Sequence, residues 1–136
     1  MSDSPERSAQ AGSGHSPEVP PKRKGVSRLI AAAGYSFAGL RAAFASEEAF
    51  RMEVVVLVLF TPVAFLLGET GVERALLIGV LVLLMIIELL NTAVEAVVDR
   101  IGSDYHELSK QAKDIGSAAV FLGMVLVALV WGLILL

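Results

Sequence analysis

One stretch decides the fold: Val72-Glu-Arg-Ala-Leu-Leu-Ile-Gly-Val-Leu-Val-Leu-Leu-Met-Ile-Ile-Glu-Leu-Leu-Asn-Thr-Ala-Val-Glu-Ala-Val-Val-Asp99. After Glu73 and Arg74 it stays apolar to Ile87, and it then admits Glu88, Asn91, Glu95 and Asp99 without a turn residue. Glu88 and Glu95 are two helical turns apart and so share a face; Asn91 lies between them and Asp99 extends the stripe. Leu89, Leu90, Val94, Val97 and Val98 cover other directions. The stretch reads as a membrane-spanning helix with acids at one end of one face.

The neighbouring sequence supplies its partners. Upstream, an apolar run from about Ala49 to Leu67 forms another span, centred on Val54-Val-Val-Leu-Val-Leu-Phe60. Pro62 lies inside it, which membrane helices tolerate. Gly68-Glu-Thr-Gly71 leaves room only for a tight antiparallel return. Downstream, Arg100 to Lys113 is a polar connection, and Ile115 to Leu136 is a third span, close to the roughly 20 residues a bilayer needs. Between Val26 and Phe44, Leu29, Ile30, Ala33, Phe37, Leu40 and Phe44 recur at helical spacing, while Arg28, Ser36 and Arg41 avoid that stripe. A basic amphipathic helix at the membrane surface, over about 26–46, fits this pattern; packing on other protein is the alternative. Met1 to Gly25, rich in Ser, Pro, Gly and charge, reads as a disordered tail, with Lys22-Arg-Lys24 beside the headgroups.

Composition agrees. Apolar residues make up 55% of 136, and the mean hydropathy is +0.70. The expected fold is all-α and polytopic: one membrane domain over 26–136, a surface helix, and spans near 49–67, 72–99 and 115–136. The absence of cysteine excludes disulfides and thiolate chemistry. The polar N-terminal stretch does not fit a secretory signal, so the first span is expected to direct insertion. Of eleven Lys and Arg, only Arg74 lies by the Gly68–Gly71 turn. The positive-inside rule therefore puts the N-terminus and the Arg100–Lys113 loop in the cytoplasm.

Depth divides the acids. At about 1.5 Å per residue from Glu73, Glu88 lies about 22 Å in and Glu95 about 33 Å in, against a hydrocarbon core of about 30 Å. Glu95 is thus interfacial and Glu88 deeper, where a charge costs on the order of 3 kcal/mol and needs a partner or a task. Glu47, just before the first span, reaches the level of Glu95. The interfacial pair suits Mg²⁺, which prefers oxygen ligands and bound phosphates. The deeper Glu88 suits proton removal from a lipid hydroxyl. Interhelical hydrogen bonding accounts for the stripe equally well. The loop Asp104-Tyr-His-Glu-Leu-Ser-Lys-Gln-Ala-Lys-Asp114 tips the balance: it sets a histidine, cations and more acids beside the stripe, with Lys113 available to a phosphate. No P-loop, GxGxxG or soluble-kinase signature occurs.

These residues resemble the bacterial integral-membrane diacylglycerol kinases from about Val26 onward. The strongest block is Glu88-Leu-Leu-Asn-Thr-Ala-Val-Glu-Ala-Val-Val-Asp-Arg-Ile-Gly-Ser-Asp-Tyr-His-Glu-Leu-Ser109, followed by Ala112-Lys-Asp-Ile-Gly-Ser-Ala-Ala119. Ala32–Ser36, Gly39–Ala43 and Glu47–Arg51 support it. The resemblance implies a homotrimer with shared active sites that transfers the ATP γ-phosphoryl group to diacylglycerol, giving phosphatidic acid, in the bacterial inner membrane. It implies Glu88 as catalytic base, with Asn91 supporting it by hydrogen bonding, and Glu47 and Glu95 as metal ligands for Mg²⁺. Nucleotide contacts would fall to Arg28, Tyr35, Glu47, Glu95, Asp104, Tyr105, His106, Lys113 and Asp114. Lipid contacts would fall to Arg28, Phe50, Glu88 and Ser117. No nucleic-acid partner is expected. Ala31, Phe37, Ala38, Asp104, Lys110 and Gln111 depart from the family pattern at the surface helix and the loop. Undecaprenol kinase activity, and a non-catalytic membrane assembly or small channel, are the competing readings.

Overall fold

The computed structural model describes residues 25–136, all helical apart from short connections. The order is α1 (Val26–Ser46), α2 (Glu48–Leu67), α3 (Gly71–Ile101) and α4 (Glu107–Leu135). The expected N-terminal tail, Gly25 apart, lies outside the described residues. All four helices are long and apolar enough to cross a membrane. Length and composition therefore do not separate α1 from the spans, and neither does burial, which is as slight in α4; α1 differs in touching the bundle far more sparsely than the other helices touch one another. Ala43, near its C-terminal end, is the one buried residue of α1, and the helix meets the bundle mainly through α2.

At 31 residues and about 1.5 Å per residue, α3 is about 46 Å long, more than a hydrocarbon core of about 30 Å holds. Its acidic end therefore projects past the core. Its other end is fixed by a capping box: Thr70 Oγ1 accepts from Glu73 N at 3.2 Å, and Glu73 Oε2 accepts from Thr70 N at 3.4 Å and Glu69 N at 2.7 Å. Arg74 Nε donates to Gly68 O at 3.0 Å, closing the turn into α2. A Cβ at Gly68 would lie 2.8 Å from both Ala64 O and Arg74 Cγ, so this turn is too tight for a side chain.

Packing centres on α3, with α4 along one side and α2 along another. Gly123 of α4 is buried and lets Leu84 and Ile87 approach its backbone. Trp131 of α4 stands edge-on to Phe60 of α2, centroids 5.2 Å apart, and donates from Nε1 to the carbonyl of the fully buried Leu77 at 3.1 Å. One side chain thus ties three helices together at the end away from the acids. Val58, Leu66 and Leu133 remain exposed, as a bilayer-facing surface requires.

The polar connection between α3 and α4 is shorter than the Arg100–Lys113 loop read from sequence, because α4 begins at Glu107. His106 caps it, its Nδ1 accepting from Leu108 N at 3.2 Å, and Lys110 pairs with Asp114 one turn on. Between α1 and α2 the chain breaks at Glu47, whose φ of −103° and ψ of 116° are extended. Arg51 Nη1 donates to Phe44 O at 3.1 Å and Ala45 O at 3.3 Å, capping carbonyls that the end of α1 leaves unpaired.

Gly68→Ala is expected to destabilise by about 1–3 kcal/mol through overpacking against backbone, read as a lower thermal midpoint in detergent. Arg51→Ala is expected to speed amide hydrogen exchange over residues 43–47 while leaving α3 protected; unchanged exchange there would remove the clamp.

Candidate active site

Three cavities surround the acidic end of α3, and each takes part of the stripe. The first is a cleft of about 510 Å³ between α2, α3 and α4. Its walls are mostly apolar, from Val56, Leu81, Leu84 and Met124, and its polar side chains are Glu53, Glu88, Asn91 and Ser117. Glu88 is only 6% exposed, the one buried charged residue of the described chain. No hydrogen bond or ion pair engages it among the described residues. Glu53 Oε2 from α2 is likewise buried without a hydrogen-bond partner, within electrostatic reach of Glu88. The cleft thus presents carboxylate acceptors on apolar walls, a match for a ligand with an apolar body and a hydroxyl donor.

The second cavity is a groove of about 830 Å³ where α1 meets α3. Glu47 and Glu95 both line it, with Ser46 and Asp99. Glu47 is brought there by its extended backbone at the α1–α2 break, and Ser46 Oγ donates to its Oε1 at 3.0 Å. Glu88 lies within electrostatic reach of both Glu47 and Glu95. Among the described residues no group of three or more His, Cys, Asp or Glu side chains is placed to hold a metal by itself. Two carboxylates on one groove nevertheless suit Mg²⁺, which commonly takes one or two from protein and the rest from phosphates and water.

The third is a depression of about 300 Å³ at the α3–α4 turn, bordered by Asp104, Tyr105, His106, Lys113 and Asp114. Asp99 lines both this depression and the groove, so the two adjoin. Lys113 precedes the apolar run of α4, and its Nζ donates to Asp99 Oδ1 at 2.5 Å. That hydrogen bond holds the Lys113 ammonium at the rim.

Asn91 differs from expectation. The resemblance implies that it supports Glu88 by hydrogen bonding, but its Nδ2 donates to Glu95 Oε1 at 3.1 Å, one helical turn on. The i,i+4 geometry of α3 sets these two side chains one above the other. Arg28 and Tyr35 lie exposed on α1 and border none of the three cavities. Phe50 is buried at 3% exposure and does not line the cleft. The sequence reading missed Glu53 and Arg51. Glu53 carried the same signal as Glu88, an acid on an otherwise apolar span, whereas the Arg51 clamp depends on a helix break at Glu47 that no spacing discloses.

Comparison with known proteins follows the same lines. The family described as prokaryotic diacylglycerol kinase matches residues 34–135. A diacylglycerol kinase of Escherichia coli K12 is 51% identical over 111 residues, covering 82% of this chain and 91% of that protein. One from Pseudomonas aeruginosa is 51% identical over 112 residues, covering 82% and 91%. One from Helicobacter pylori strain 26695 is 44% identical over 120 residues, covering 88% and 93%. With three-quarters of its length inside the family match and about half of the aligned residues identical to such relatives, this chain belongs to the prokaryotic diacylglycerol kinase family.

Proposed function

We propose that this protein is a membrane enzyme that phosphorylates 1,2-diacylglycerol with ATP, giving phosphatidic acid and so recycling diacylglycerol into phospholipid synthesis. One observation carries the reading: a buried, unpaired Glu88 in an apolar cleft that adjoins, through Asn91, a groove holding Glu47 and Glu95. The apolar walls suit acyl chains and glycerol. The carboxylates suit a hydroxyl donor better than a phosphate, so the substrate matches the cleft and the product does not.

The attacking hydroxyl oxygen forms a bond to the γ-phosphorus while the bond to the β–γ bridging oxygen breaks, releasing ADP. Glu88 accepts the hydroxyl proton. Glu47 and Glu95 are the residues that would hold Mg²⁺, which supplies neutralisation of phosphate charge when bound. Lys113 would contact the nucleotide from the rim, beside Asp104, Tyr105, His106 and Asp114, and Arg28 and Tyr35 would contact it from the exposed surface of α1. Ser117 lies on the cleft wall for the lipid, with Arg28 and Phe50 as further lipid contacts. Catalysis of this kind rests on positioning and electrostatics more than on covalent chemistry.

The reading also covers assembly and place. α1 lies on the cytoplasmic face of the inner membrane, the N-terminus is cytoplasmic, and α2, α3 and α4 span, together forming one kinase domain over 26–136. Three copies assemble with shared active sites. The grouping of ten of the eleven basic residues away from the Gly68–Gly71 turn supports the orientation.

Purified protein in mixed micelles, given ATP, Mg²⁺ and either diacylglycerol or undecaprenol, tests the activity. Phosphorylation of diacylglycerol is expected to dominate, and phosphorylation of neither lipid would defeat the reading. Glu88→Gln is expected to lower turnover by roughly 10²–10⁴-fold, the usual worth of a positioned base, while magnesium-nucleotide binding persists. Equal turnover by this variant and the wild type would remove Glu88 from the role.

A further inference from the structure

The Asn91 side chain stands between the lipid-side cleft and the Glu47–Glu95 groove, and what holds it there lies on a different helix. Its Nδ2 reaches Glu95 Oε1 at 3.1 Å, while its Oδ1 is buried and accepts no hydrogen bond among the described residues. That oxygen faces Gly116 of α4. A Cβ built on Gly116 would collide with Oδ1 and lie 3.2 Å from Asn91 Cγ. With Asn91 in its present orientation only hydrogen fits at that position, and a glycine inside a helix is costly relative to alanine. The Cα–H in the Cβ direction points toward the orphaned oxygen, a weak contact of the kind helix interfaces use.

The consequence reaches Glu95. A methyl group at Gly116 would force Asn91 Oδ1 to move by rotation of the side chain, and that rotation carries Nδ2 off its present line to Glu95. Glu95 would then lose its hydrogen-bond donor among the described residues. Resting on the assignment of Glu95 to the magnesium-nucleotide site, we propose that Gly116 is a positioning residue for that site: the absence of its side chain fixes the Asn91 orientation that aims Nδ2 at Glu95. Gly116 itself touches neither substrate nor metal. Gly123, two turns along α4, provides a contrast, since a Cβ there would meet Leu84 Cδ1 and Ile87 Cδ1, both apolar.

Calorimetric binding of a non-hydrolysable ATP analogue with Mg²⁺ tests this in wild type, Gly116→Ala, Asn91→Ala and the double variant, with thermal midpoints measured alongside. Gly116→Ala is expected to weaken binding about tenfold or more, the usual cost of losing an outer-shell partner to a metal-binding carboxylate. Asn91→Ala should do the same. The double variant should bind no worse than Asn91→Ala alone, because the collision has lost its target. Gly123→Ala should lower the thermal midpoint without that loss of binding. If Gly116→Ala does not fold but the double variant does, the collision through Asn91 is supported; if neither folds, Gly116 serves helix packing and the proposal is overturned. Unchanged binding by Gly116→Ala, or losses that add in the double variant, also overturn it. Failure of the wild type to bind the analogue in a Mg²⁺-dependent way would instead remove the assignment of Glu95 on which the proposal stands.

Discussion

The hydrogen bond from Asn91 to Glu95 organises the acidic end of this bundle. Glu88, Asn91, Glu95 and Asp99 lie on one helix at spacings of three and four, so α3 alone sets their order and depth. Asn91 is the member that links the cleft to the groove. It lines the apolar cleft with Glu88 and donates to Glu95 on the adjoining groove. In the proposed reaction, a substrate with acyl chains and a cosubstrate from water would meet across this partition. The partition must be polar enough to orient a carboxylate and thin enough to let reacting atoms meet.

The remaining elements hold their groups against that helix. α2 brings Glu53 to the cleft, and its break from α1 brings Glu47 to the groove, with Arg51 covering the carbonyls that the break exposes. α4 lies close enough to contact Asn91 and Leu84 because it offers glycines at those heights. Its first turns deliver Lys113 to Asp99 at the water-facing rim.

The two ends of the bundle are built differently. Away from the acids, the capping box of Thr70 and Glu73, the Arg74 bond to Gly68 O, and Trp131 against Phe60 and Leu77 leave few polar groups unsatisfied. Near the acids, Glu53 Oε2 and Asn91 Oδ1 are buried without hydrogen bonds among the described residues. Buried polar atoms without partners oppose folding by about 1–3 kcal/mol each. Their concentration at one end, opposite the most satisfied part of the molecule, places that cost beside the cleft.

The sequence by itself determined the helices, the membrane class and the depth order of Glu88 and Glu95, because hydropathy, helical periodicity and rise per residue are local properties of the chain. It also pointed to Glu88, Glu95, Glu47 and the Asp104–Asp114 segment through the types of residue present. Only the tertiary structure decided which groups face each other. It turned Asn91 toward Glu95 instead of Glu88, added Glu53 to the Glu88 cleft, kept Arg28 and Tyr35 apart from the three cavities, and set Gly116 against Asn91. The physical reason is that α2 and α4 meet α3 through residues far apart in the chain, and neither helix rotation nor a missing Cβ leaves a periodic trace. Glu53 and Gly116 look like an isolated acid and a helix-weakening glycine until three helices are packed side by side.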